Sequence, residues 1–235
     1  LQPWQALLDQ DDWRVALSAA AAARGVVSGG GAPICFVDAD AAGATAYEIH
    51  IHATGRVPTR ANRHDLFNAL TWLALPRAKA ALNARQAEQL LRDGVGARRG
   101  PVRDAATLID ESGLLLATDD SAVWAALQAH DWAALFGSNR DRWGRSIRCL
   151  IFGHAVLDKL GTPYKGLTVA VLPLPYCASV AEFDVAAACF IGSAALAPRQ
   201  LPHLPVLGIP GWWPANEAPG FYDDAAVFRP ARGAA

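Results

Sequence analysis

The stretch Thr54 to Leu82, TGRVPTRANRHDLFNALTWLALPRAKAAL, sets what the chain around it can become. Gly55 and Pro58 punctuate the end of a preceding strand. Asn62 is a good helix N-cap, and Asp65 three residues on sits in the first turn, where the helix dipole favours a carboxylate. The helix so opened runs to about Leu75, where Pro76 ends it, and a second helix begins. At 100° per residue His64, Asn68 and Thr71 share one narrow stripe. Nearly everything else is apolar: Leu66, Phe67, Ala69, Leu70, Trp72, Leu73, Ala74 and Leu75. A helix apolar around most of its girth is buried. Its polar stripe therefore lines a wet pocket or forms a thin solvent-facing edge, and both readings stay open. Arg60 and Lys79 bracket the helix and bring positive charge to the same mouth.

The run PTRANRHDLFNALTWLALPRAKAALN resembles the signature of a bacterial family of domains of unknown function, the one numbered three thousand and twenty-five. RGPVRDAATLIDESG, GHAVLDKL and LPVLGIPGWWPANEAPGFYDDAAVFRPAR resemble further segments of it, so the likeness runs from about Tyr47 to Arg232. It implies no reaction, because the family has none assigned. In that pattern a histidine often follows the LN pair. Gln86 stands near that place here, which implies that the position is not an obligatory general base.

A chain of 235 residues can bury roughly 70–75% of its unfolded surface, and it is expected to form a single domain, 1–235. Hydrophobic residues at 52% and charged residues at 18% describe a compact fold, far from disorder. A net charge of -1 implies no broad basic field, so nucleic acid is not expected as a partner, with Arg98 to Arg103 as a local basic patch. The four cysteines, Cys35, Cys149, Cys177 and Cys189, include no CxxC pair. That is neither a zinc framework nor a disulfide scaffold, and it suits a cytoplasmic location. No 18-residue apolar run is free of charge and proline, so neither a membrane span nor a signal peptide is expected.

The remaining elements follow in order. Pro3 to Leu8 suggests a short helix; Asp12 caps a second, Trp13 to Arg24, ended by Gly25. The glycine-rich loop Ser28 to Ala32 lacks GxGxxG and the Walker lysine, and is expected to be a plain loop. Ile34 to Val37 and Tyr47 to His52 are predicted strands. Alternation would put Glu48, His50 and His52 on one face of the second, as a weak candidate metal site or a polar outer face. Asn83 opens the helix segment Ala84 to Arg92. Ala105 to Ile109 and Leu114 to Thr118 are predicted as a hairpin about Asp110-Glu111-Ser112-Gly113, with Arg103 just before it. Asp119 or Asp120 caps one helix and Asp131 another. Arg145 to Leu160 shows helical spacing with His154 on its apolar face, and the adjacent Gly153 permits close approach of another element. Leu167 to Leu172 is a predicted strand, and Ser179 with Glu182 makes a capping box for a helix from Val180. The tail from Pro198 is expected to wrap the body as ordered coil, anchored by Trp212, Trp213, Phe221, Tyr222 and Phe228. The predicted class is α+β: a small, mainly antiparallel sheet covered by helices, with a long ordered C-terminal coil.

Two functions fit. One is a hydrolase of a small polar or anionic substrate, with His64, Asp65 and His154 catalytic and Arg60, Asn68, Lys79, Asn83 and Arg103 holding the substrate. No metal is assigned, the cofactor is unknown, and a small molecule is the expected partner. GxSxG and HExxH are both missing from the sequence. The other is a non-catalytic binding or scaffold protein in which the His/Asn cluster is structural.

Overall fold

In the computed structural model, residues 13–42, 45–94, 100–193, 196, 201–218 and 220–230 are described. The expected helix Pro3 to Leu8, the Asp12 cap and most of the basic run from Arg98 lie outside them. Helix α1 (Trp13–Ala23) leads to β1 (Cys35–Val37), α2 (Tyr47–Thr54), β2 (Arg56–Pro58), α3 (Arg63–Ala74), α4 (Pro76–Asp93) and α5 (Pro101–Ser112). Then come β3 (Gly113–Ala117), α6 (Ser121–Gln128), β4 (Arg148–Ile151), α7 (His154–Lys159), β5 (Thr168–Leu174), α8 (Val180–Gly192) and β6 (His203–Pro205).

The class is α+β, as predicted. In the four-stranded sheet, ordered β4-β3-β5-β6, β3 pairs antiparallel with β4 and parallel with β5, while β5 pairs antiparallel with β6. β1 and β2 form a separate parallel pair, Phe36 opposite Val57. The GLLLA run of β3 is buried at every position because it is an interior strand covered on both faces. Leu114 and Leu116 pack into one cluster with Phe136, Trp143, Phe221 and Phe228; Leu115 and Ala117 face α4, α5 and α8 through Leu82, Ile109 and Phe183. Each fully buried leucine contributes about 1.5–3 kcal/mol relative to exposure. A third cluster joins α1, the small sheet and α3 through Trp13, Phe36, Val57, Leu66 and Trp72.

The organising stretch folds as its residues dictate. The Asn62 side chain accepts from the Asp65 N–H at 2.8 Å, and Pro76 occupies the first turn of α4. The orphan N–H groups of that turn are met from a distance. Asp184 of α8 accepts from Arg77 N at 3.1 Å and Ala78 N at 2.8 Å, which fastens α8 to α4. Ser179 and Glu182 cap α8 together: Ser179 Oγ accepts from Glu182 N–H, and the Glu182 carboxylate accepts from Ser179 Oγ and from the N–H of Ala178, one residue before the cap. The glycine-rich loop is a docked loop: Gly29 N–H donates to the Asn83 side chain, and Ser28 Oγ donates to the His52 carbonyl.

Three predicted elements differ. Tyr47 to His52 is helix, with Ile51 buried and Gly55 ending it at φ +69°. Its alternation of polar and apolar residues imitates a strand, but a helix ending in a left-handed glycine lets the chain turn directly into β2. The expected hairpin is instead α5 followed by β3: Ala105, Ala106 and Ile109 bury at helical spacing after a proline at the first helical position. Arg145 to Leu160 divides into β4 and α7, because Phe152 N and Gly153 N both donate to the Gly113 carbonyl and draw the chain onto the sheet. The tail supplies β6 and three 3₁₀ turns, and Phe221 and Phe228 are buried; Trp212, expected as an anchor, is exposed. Among the described residues no helix is long and apolar enough to cross a membrane.

Candidate active site

A cleft of about 620 Å³ opens where α2, α3, α4, α5 and α7 meet. α3 brings His64, Asp65 and Asn68 to its wall; α5 brings Arg103, Thr107, Asp110 and Glu111; α2 brings Tyr47 and Glu48; α7 brings His154. Positions 103, 107, 110 and 111 recur at helical spacing, so folding α5 as a helix puts them on one stripe facing α3.

The centre of the wall is a pair of imidazoles. His154 Nε2 lies 3.0 Å from His64 Nε2, with the rings edge to face. Their approach depends on Gly153. A Cβ there would stand 2.5 Å from the backbone nitrogens of Ser112 and Gly113, so only glycine lets α7 start against the end of α5. Arg63 completes the clamp, donating to the Asp158 carbonyl at 2.9 Å and pairing with its carboxylate. His154 is buried, and its Nδ1 lies 3.7 Å from Asp110 with no closer hydrogen-bonding partner.

Behind the pair runs a polar chain. Asn68 donates to the Tyr47 hydroxyl at 3.1 Å and accepts from Lys79 Nζ at 2.8 Å; Lys79 Nζ also meets Asp110 at 2.5 Å. Burial pushes the Asp110 carboxyl up, but the Lys79 ammonium and the His154 imidazole outweigh that and hold it well below the usual carboxylate range. A second carboxylate behaves in the opposite way. Glu48 is pushed up to about 7, first by burial and then by the nearby charge of Asp110. The Asn83 amide, donating to Glu48 at 2.7 Å, offsets only part of this. Gln86, with its amide turned to donate, reaches the same carboxylate at 3.2 Å.

The residues singled out from the sequence sort as follows. His64, Asn68, His154 and Arg103 converge on the cleft. Asp65 and Arg60 also reach it but are committed to each other: the Asp65 carboxylate accepts from Arg60 N, Nε and Nη2 at 2.7, 3.0 and 3.0 Å. Asp65 therefore does not orient His64, and Arg60 carries no spare charge for a substrate. Lys79 and Asn83 are buried behind the wall and hold Asp110 and Glu48, so they position groups rather than touch a ligand. The trio Glu48, His50 and His52 does not assemble, since successive members sit about 200° apart on a helix, and only Glu48 faces the cleft. Three acidic residues were missed as members of this site: Glu48, because its stretch was assigned to a strand, and Asp110 and Glu111, because theirs was assigned to a turn. Pro101 followed by apolar residues at helical spacing was the available signal for the latter two. His64, Glu111 and His154 together present one ligand atom each within 4.8 Å of one another and could hold a metal ion.

No curated protein and no solved structure matches the chain. The family described as "Protein of unknown function (DUF3025)" matches residues 34–232, which include every residue of the cleft. On that match over most of its length, the chain belongs to the DUF3025 family.

Proposed function

We propose that the cleft is the active site of a hydrolase acting on a small polar or anionic substrate. The observation that carries this reading is the pair of imidazole nitrogens 3.0 Å apart on the wall of an open cavity. Two imidazoles so close offer ring nitrogens that can orient a water by hydrogen bonding and accept its proton. The water is the nucleophile: it gives one proton to the site and attacks the electrophilic carbon or phosphorus. The leaving group departs with a proton from Glu48, whose position near 7 suits a carboxyl that must be protonated to act. Among the described residues, Arg103 is the guanidinium on this wall not paired with a carboxylate, and it is the group available to a substrate anion.

The test is hydrolysis of a panel of simple esters, phosphoesters and amides by wild type and by His64→Ala. The variant is expected to lose turnover while its melting temperature stays close to wild type. A second reading is favoured by the closed chain Tyr47–Asn68–Lys79–Asp110, in which each polar group already has a partner, as a structural network would. In that reading the protein is a scaffold, His64→Ala lowers the melting temperature, and no substrate of the panel is turned over.

A further inference from the structure

We infer that His64, His154 and Glu111 form a binding site for one divalent transition metal ion, with zinc the best fit to the donor set. This rests on the reading of the cleft as a hydrolase site and names how the imidazole pair would activate water there.

Three observations converge. The first is spacing. Ligands about 2.0–2.2 Å from a tetrahedral ion stand about 3.3–3.6 Å from one another. His154 Nε2 is 3.0 Å from His64 Nε2 and 3.7 Å from Glu111 Oε1, distances on either side of that span. The Glu111 side chain is 42% exposed, so a small torsional adjustment is open to it. The second is direction. His154 meets the other two residues through Nε2 and leaves Nδ1 facing Asp110 at 3.7 Å. A ligating imidazole whose other nitrogen faces a carboxylate is the usual outer support of a histidine–metal bond. Asp110 is itself held in place by Lys79, whose Nζ lies 2.5 Å from its carboxylate. The third is openness. Two imidazoles and one carboxylate leave a tetrahedral ion one free position, and all three residues line the cleft, so that position is reached by water and substrate.

Two nitrogen donors with one carboxylate oxygen suit zinc and its neighbours, whereas magnesium wants an all-oxygen octahedral shell. A water on such an ion has its pKa brought to about 7. It then supplies hydroxide at neutral pH, the water's O–H bond breaking and the proton leaving to a base of the cleft or to solvent. The ion would also add positive charge to a wall that carries Glu48, Asp65, Asp110 and Glu111 against Arg60 and Arg103, which makes room for an anionic substrate.

The experiment uses the full chain, stripped with a chelator and titrated with zinc chloride, with metal content after desalting and isothermal titration as readouts. Wild type is expected to take up one zinc per chain and to show no uptake of magnesium. His154→Gln and Glu111→Gln are expected to bind zinc at least tenfold more weakly, and His203→Ala, in a separate cleft, to bind as wild type does. Glu111→Gln is the deciding variant should His154→Gln fail to fold, because Glu111 is partly exposed. Absence of zinc uptake by wild type, or equal uptake by Glu111→Gln, overturns the inference; the two histidines then share a proton directly. Zinc bound without any hydrolysis upholds the metal site and removes the hydrolase reading. Hydrolysis undiminished by the chelator does the reverse.

Discussion

Replacing Glu48 by glutamine should make the protein more stable at alkaline pH and less active. Glu48 ionises near 7 in the folded chain against 4.5 for an ordinary glutamate. Its protonated form is therefore the one the fold prefers. The sign follows from linkage: between those two values the native state binds more protons than the unfolded state, so stability is highest below 4.5 and declines as pH rises through 7. At about 1.4 kcal/mol per pKa unit the loss approaches about 3 kcal/mol once Glu48 is ionised. A glutamine keeps the shape, can still accept from Asn83, and carries no charge to desolvate. Urea unfolding of wild type and Glu48→Gln at pH 4.5, 6 and 8 reads the effect. The two should be nearly equal at pH 4.5, and the variant ahead by about 2–3 kcal/mol at pH 8, less whatever its extra N–H costs if it finds no acceptor. A difference that stays flat with pH, or a variant that is less stable at pH 8, would refute the claim that burial sets this carboxyl. A group that costs stability as its charge forms is a candidate for retention through chemistry, so the same variant is expected to lose turnover.

Lys79→Met removes the cation from a buried pair whose side chains are 5% and 14% exposed, and should cost about 3–5 kcal/mol at pH 7 by leaving Asp110 unpaired. Lys79→Met/Asp110→Leu should recover much of that in the same urea assay, and additive losses would contradict the pairing. Gly153→Ala should destabilise by about 1–3 kcal/mol, since the new methyl meets backbone rather than a yielding side chain, and thermal unfolding checks it.

How far the sequence was legible depends on where the deciding interaction lies. Helix α3 was legible because its start and stop are local: Asn62 caps it and Pro76 closes it. Of the two readings left open for its polar stripe, the pocket is the one that forms: His64 and Asn68 line the cleft, and His154, read on the apolar face of another helix, lines it too. Helix α2 was not legible, because Glu-Ile-His-Ile-His alternates like a strand while the buried contact that decides its period, Ile51, is made with residues far along the chain. Helix α5 was hidden by the turn-like Asp110-Glu111-Ser112-Gly113, which is in fact a helix end running straight into the central strand. Those two errors conceal the acidic half of the site. Glu48, Asp110 and Glu111 each join the cleft only once their stretches are helical. The elevated Glu48 and the depressed Asp110 arise from burial and from Lys79, which are tertiary facts that no local pattern carries.

The central claim is that His64 and His154 act as one unit on a substrate in this cleft. Its most direct test is a double-mutant cycle in kcat/KM on the fastest substrate of the hydrolysis panel, with His64→Gln, His154→Gln and the double variant, each shown to be folded. Partners in a single catalytic step are strongly non-additive. The account predicts that each single substitution removes nearly all of the activity and that the double removes no more. Losses that multiply, or a single variant that keeps wild-type turnover, would contradict it.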